Sequence, residues 1–206
     1  MDHRHSVAAL SYLGARIENW RRLKEQRVEA EKAVTAAAKS LPVYQWAEDV
    51  TGLSALGVGL IVGAAGDLSG FATVSKLWKW MSLAVDGQGR AQRRRSGETS
   101  GANPDHRKLM FMLASAQVMH HGPFEAVYRH ERERFEHRYV CMARGCDWRS
   151  RTDEKVAKCP ECDTRPANVA HKHANRVTAK ALLREMWIIW TGANPDRELL
   201  TERPRC

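Results

Sequence analysis

Four of the chain's five cysteines fall within twenty-two residues, as Cys141, Cys146, Cys159 and Cys162 in a C-x4-C, x12, C-x2-C spacing. Thiolates are soft ligands that satisfy a tetrahedral cation, and two short-spaced pairs joined by a dozen residues match two knuckles closing over one Zn²⁺. Gly145 stands just before the second ligand of the first knuckle, where a tight reversal would use a residue without a Cβ. The alternative for such a set is a pair of disulfides. The chain opens on no recognisable secretory leader and is otherwise poor in cysteine, so a reducing, cytoplasmic compartment is expected, and with it zinc. The expected role is structural, bracing a segment too small to bury a core of its own.

A second group of residues carries charge. Thirty-three Lys and Arg against 24 Asp and Glu leave a net charge of +9, which favours nucleic acid or another polyanion as partner over a merely soluble basic surface. The densest cationic stretch is a glycine-rich and turn-forming loop, residues 86–103, with Arg90, Arg93, Arg94 and Arg95. Such a loop is a candidate phosphate clamp, and its bland counterpart is a solvated face. Further on, His171, His173, Arg176 and Lys180 supply polar or basic positions on one helical stretch. Seven tryptophans can serve as core or as stacking surface. No apolar run is long enough to cross a bilayer, because the longest, Leu53 to Ala65, is interrupted by glycines.

The elements that must position these groups read as mainly α. From Val7 to Ser40 the pattern Leu10, Leu13, Ile17, Trp20, Val34, Ala37 and Leu41 recurs at three- and four-residue steps, broken midway by Lys24 and Arg27, until Pro42 stops it. This predicts a long helix or helical hairpin over residues 1–42 that packs only in part, either within its own domain or as a dimerisation arm. Residues 43–137 read as a helical domain. In it, two stretches meet at a glycine turn around Gly52, and Gly59, Gly63 and Ala64 permit close helix contact, as in a helix-hairpin-helix. Such hairpins hold duplex phosphates through turn amides and a helix N-terminus. Here Gly52, Leu53 and Ser54 stand where the usual hairpin has glycine, a hydrophobe and glycine. Helices are expected over residues 71–83, 109–118 and 124–137, then an inserted zinc ribbon over 138–170, and last a closing helix with a polar tail over 171–206, where Leu182, Leu183, Met186, Ile189 and Trp190 cover one side.

Taken in order, these segments resemble the C-terminal transposase domain of the IS-one-ten insertion-sequence family. The likeness is carried by the run from Val50 to Phe71, by Leu77 and Ser82-Leu83, by Asp86-Gly87 and the following arginines, and by Asn103-Pro104. A zinc-ribbon subgroup is similar in its closing helix, at His171, His173, Arg176, Lys180, Leu183 and Trp187, so the resemblance spans roughly residues 15 to 190. It implies a protein acting in DNA transposition or recombination. Gly52, Ser54, Arg90, Arg93, Arg94, Arg95, His171, His173, Arg176 and Lys180 would face duplex DNA, with structured RNA as a second partner, in a nucleoid-associated setting.

Two departures shape that expectation. The family's RuvC-like acidic domain has no counterpart before Val50, which implies an accessory or truncated form that associates with itself or with a separate catalytic subunit. The family's catalytic serine falls in a stretch that here reads Gly87-Gln88-Gly89-Arg90, with no hydroxyl, so Ser96 and Ser100 beyond the arginines would replace it only in a re-registered loop. A serine-dependent recombinase completed in trans is therefore one alternative, and a zinc-ribbon protein-interaction scaffold is another.

Overall fold

The last helix repeats a two-wide stripe that is apolar but for Thr178 and Asn175: Ala174, Thr178, Leu182 and Met186 on one row, Asn175, Ala179, Leu183 and Trp187 on the next. A stripe that broad can be buried on several sides at once. In the computed structural model all eight are buried, and this helix is the axis of the fold. The structure describes residues 3–85, 102–136, 141, 146, 148, 158–163 and 169–192. Among them are seven α-helices and no strand: α1 (His3–Ala38), α2 (Tyr44–Glu48), α3 (Ala55–Ala65), α4 (Val74–Trp80), α5 (Pro104–Met119), α6 (Glu125–Glu136) and α7 (Val169–Thr191), with a 3-10 turn at Leu68–Gly70.

α7 packs against α4, α5, α6 and the 3-10 turn. Leu182, Leu183 and Met186 are wholly buried beside Ile61, Leu68, Leu77 and Met110, in one core that runs from Ala38 to Trp187. Each such side chain contributes about 1.5–3 kcal/mol by leaving water. The closing helix thus shares its core with α2 to α5. Around it, indole N–H groups act as ties between segments distant in sequence. Trp78 donates to the Lys180 carbonyl (3.1 Å), Trp80 to the Ala64 carbonyl (2.9 Å), Trp187 to the Phe71 carbonyl (3.3 Å) and Trp190 to an Asp67 carboxylate oxygen (2.9 Å). Asp67 also accepts from the Ser69 N–H, and these bonds hold its carboxyl below the ordinary range. Of the two uses open to the tryptophans, these four serve the core and its rim.

α1 behaves as two pieces. At a rise of about 1.5 Å per residue its 36 residues extend roughly 54 Å. From Tyr12 onward, where side chains are described, only the last turns dock, and there Val34 and Ala38 lie on Gly59 of α3. A Cβ at Gly59 would stand 2.6 Å from Val34 Cγ1 and 3.1 Å from the Val34 carbonyl oxygen, so the close approach depends on glycine. Gly63, one turn on, meets no atom within 4 Å, so the expected helix contact uses Gly59 and not Gly63. Every residue from Tyr12 to Ala30 is exposed, Trp20 at 61 %. The long helix that packs only in part is therefore observed, ending at Ala38, four residues before Pro42.

α2 and α3 flank the turn at Gly52, which adopts φ +86. The turn is pressed against the end of α5: a Cβ at Gly52 would fall 2.9 Å from the Ala116 carbonyl oxygen and 3.1 Å from Gln117 Nε2. Ser54 caps α3, its hydroxyl accepting from the Gly57 N–H at 3.1 Å. The helix expected over 71–83 is shorter, because Thr73 caps it and Met81 ends it. The one expected from residue 109 starts earlier, where Asn103 caps α5 by accepting from the Asp105 N–H and Pro104 takes the first helical position.

Candidate metal centre and basic cavity

The four cysteines of the two knuckles converge. Their sulfurs all lie within 4.8 Å of one another, with Cys141, Cys146 and Cys159 buried and Cys162 exposed. Local hydrogen bonds place them: the Cys141 N–H donates to the Trp148 carbonyl (3.0 Å), and the Asp163 N–H donates to the Cys159 carbonyl (2.9 Å), closing a turn over the second knuckle. Asp163 takes φ 55 at that reversal, and its carboxylate pairs with Lys158. Trp148 packs against the cluster.

The spacing of the donors suits a tetrahedral ion. Four ligands about 2.3 Å from one zinc stand about 3.8 Å apart. Cys146 Sγ is 3.7 Å from Cys159 Sγ, and Cys141 Sγ is 3.4 Å from Cys162 Sγ. No disulfide joins any of the four, so the disulfide alternative is not what is formed. The Trp148 backbone bond favours the Cys146 thiolate. Burial and hydrogen bonds to the other three sulfurs outweigh it and push that thiol up to about 12. Four sulfurs packed this closely hold negative charge poorly unless a cation sits among them. The set is thus able to coordinate a metal ion and is compatible with structural zinc.

A second site lies between α5 and α7. A cavity of about 450 Å³ opens there, and Arg107 and Lys108 of α5 together with Lys172 and Arg176 of α7 line it. None of its lining residues is acidic. Leu83, Phe111 and Ala179 give it an apolar wall. Ser82, also on the lining, holds φ 61, and its hydroxyl accepts from the Asn103 N–H at 2.7 Å. The sequence between Ser82 and Asn103 carries the arginine-rich stretch.

Of the residues singled out from sequence, Arg176 lines this cavity, and its Nη2 lies 3.1 Å from His173 Nδ1. His173 Nε2 is 3.2 Å from a Glu131 carboxylate oxygen. Burial, the largest influence, lowers the His173 pKa below its ordinary 6.5 although Glu131 opposes it. His171 Nδ1 shares a 2.6 Å hydrogen bond with the Tyr128 hydroxyl, and its ring stands edge-on to Phe111 at 5.8 Å. Lys180 lies with its ammonium 4.7 Å from the centre of the Trp78 ring. Gly52 and Ser54 build the α2–α3 turn against α5, as described above, and the Gly52 Cα faces α5. Arg90, Arg93, Arg94, Arg95, Ser96 and Ser100 lie outside the described residues.

Arg107, Lys108, Phe111, Lys172 and Asn175 were not singled out from sequence. A local signal existed, since Arg107 and Phe111 stand four apart on one helix and Lys172 and Arg176 four apart on another. No helix among the described residues is long and apolar enough to cross a membrane. Comparison of the chain with protein-family models, with curated proteins and with solved structures finds no match.

Proposed function

We propose that the chain is a DNA-binding protein of the transposase or recombinase type, with one structural zinc held by Cys141, Cys146, Cys159 and Cys162 as a ribbon. One observation supports the binding reading above the others. Four cations from two helices, Arg107, Lys108, Lys172 and Arg176, surround a single cavity with no carboxylate on its lining. Cations gathered from two helices around one cavity make a positive potential that attracts an anion. The sequence between Val85 and Ala102 carries Arg90 and Arg93 to Arg95, which in this reading add phosphate contacts.

The assignment to transposition or recombination rests on the sequence resemblance alone. In this reading α2 and α3 form a helix-hairpin-helix that supports α5, and the cavity face is the principal nucleic-acid contact. The exposed half of α1 associates with a second copy or a catalytic subunit, and a structured RNA is a further polyanion for the same face.

Titration of a fluorescent duplex across a salt series tests the proposal. Affinity should fall steeply with salt, log K against log [salt] sloping by about −0.9 for every phosphate neutralised. Lys108→Gln and Lys172→Gln should each flatten the slope by about 1 unit. Duplex affinity that is absent, or indifferent to salt, would sink the reading.

A further inference from the structure

We infer that the cavity between α5 and α7 receives the base of a nucleotide, with its phosphate held at the cationic rim. The inference deepens the DNA-binding reading and adds a chemical class of ligand: an aromatic base carrying phosphate, free or unstacked from a strand. At about 450 Å³ the cavity falls within the roughly 300–1,000 Å³ range of pockets that enclose small ligands, and it is too apolar for an anion alone. Its wall of Leu83, Phe111 and Ala179 offers nothing to a phosphate but suits the flat face of a ring.

Phe111 is the stacking platform. It is a large apolar side chain left 42 % exposed on a helix whose Met110 and Ala114 are fully buried. Its ring is also held in place. His171 meets it edge-on at 5.8 Å, and Tyr128 in turn meets His171 at 5.7 Å while their polar atoms share a hydrogen bond. A pre-oriented ring loses little freedom when a base lies on it. Asn175 supplies a polar group at the same wall. It is fully buried, its Nδ2 donates to Ser115 Oγ at 2.8 Å, and its Oδ1 has no donor. An exocyclic amino group is the complement to such an oxygen. Of the four cations that line the cavity, Lys108 and Lys172 are exposed and able to meet the phosphate, with Arg107 and Arg176 half-buried on the same lining.

Three probes test this on the full chain: a fully paired duplex, the same duplex with one bulged adenine, and deoxyadenosine monophosphate. The bulged duplex should bind about tenfold more tightly than the paired one, the scale of a single base-on-ring contact. Phe111→Leu should erase that preference, bringing bulged and paired duplex to equal affinity, and Phe111→Tyr, which keeps the ring, should restore it. Melting curves for both variants establish that they are folded, and Ala179→Met, which fills the cavity from α7, provides a second route to the same loss. Monophosphate binding that Phe111→Leu abolishes assigns the cavity to free nucleotides as well; binding of the bulge alone assigns it to a strand.

Equal affinity for bulged and paired duplex, or a preference that survives Phe111→Leu, overturns the inference and leaves the phosphate reading standing. If no duplex binds, the DNA reading falls by itself, and the cavity is then decided by whether Phe111→Leu abolishes monophosphate binding. No binding of any of the three overturns both.

Discussion

Replacing Gly59 and Gly63 by alanine, one at a time, should move stability in opposite directions although the two stand one turn apart on α3. Each substitution gains about 1 kcal/mol in the helix interior, where glycine is a poor helix former. At Gly63 no atom lies within 4 Å of the new methyl, so the whole gain should appear as a higher urea midpoint. At Gly59 the methyl would fall 2.6 Å from Val34 Cγ1, 3.1 Å from the Val34 carbonyl oxygen and 3.3 Å from Ala38 Cβ. Valine in a helix has essentially one rotamer and cannot turn aside, so α1 must move outward as a unit. Overpacking of this kind costs about 1–3 kcal/mol, which leaves Gly59→Ala neutral to about 2 kcal/mol less stable and separates the two variants by about 1–3 kcal/mol. Urea unfolding followed by circular dichroism and tryptophan emission gives both values from midpoint shifts at constant slope. Adding Val34→Ala to Gly59→Ala should recover part of the loss, a coupling absent with Gly63→Ala. If both glycines gain equally, α1 does not dock on α3 by close approach and the account of the core's edge is wrong.

Other perturbations separate the remaining claims. Gly52→Ala should cost about 2–3 kcal/mol, since the left-handed backbone alone accounts for about 1–2 and the new methyl lies 2.9 Å from a backbone oxygen of α5; an unchanged midpoint would contradict that packing. Purified protein should carry about one zinc per chain. Chelation should make the four thiols reactive, and Cys159→Ser should lower the metal content; four titratable thiols and no metal as purified would rule the centre out. His173 has a folded pKa below 6.5, so the folded state binds fewer protons than the unfolded one as pH falls. Its contribution is whole above about pH 6.5 and is lost as pH drops toward the folded value. Asp67 and Glu125 are held below 3.8 and 4.5, so their effects come at more acid pH. His173→Gln should flatten the stability profile just below pH 6.5, and a profile identical to the parent would show that burial does not depress the group.

Much of the helical scaffold is legible in the sequence because its signals are local. Leu182, Leu183 and Met186 recur at helical spacing, Pro42 forbids continuation of α1, and the cysteine spacing brings its own sulfurs together. The start of α5 was legible too. Asn103 before Pro104 is a cap followed by a first-turn proline, and reading Leu109 as the beginning gave weight to apolar residues over caps. What a sequence does not display is which faces meet. Gly52 has the marks of a turn that offers its amides to phosphate, and only the arrival of Ala116 and Gln117 from another helix shows what lies against it. The cavity is hidden for the same reason. Arg107 and Arg176 are far apart in the chain, and neither helix reveals alone that its cations will face those of the other.

The half-docked α1 makes the molecule unequal in how it answers heat. Its final turns share the fate of the core, because Val34 and Ala38 cannot leave without opening the seam over Gly59. The turns that bear Leu13, Ile17 and Trp20 rest on backbone hydrogen bonds, the exposed ion pair of Arg21 with Glu18, and the Lys24 ammonium over the Trp20 ring. An isolated helix of that kind is marginal in water and unwinds gradually up to the docked turns. Warming therefore shortens the rod well before the body melts. Anything that grips its tip would be felt first as restored helix.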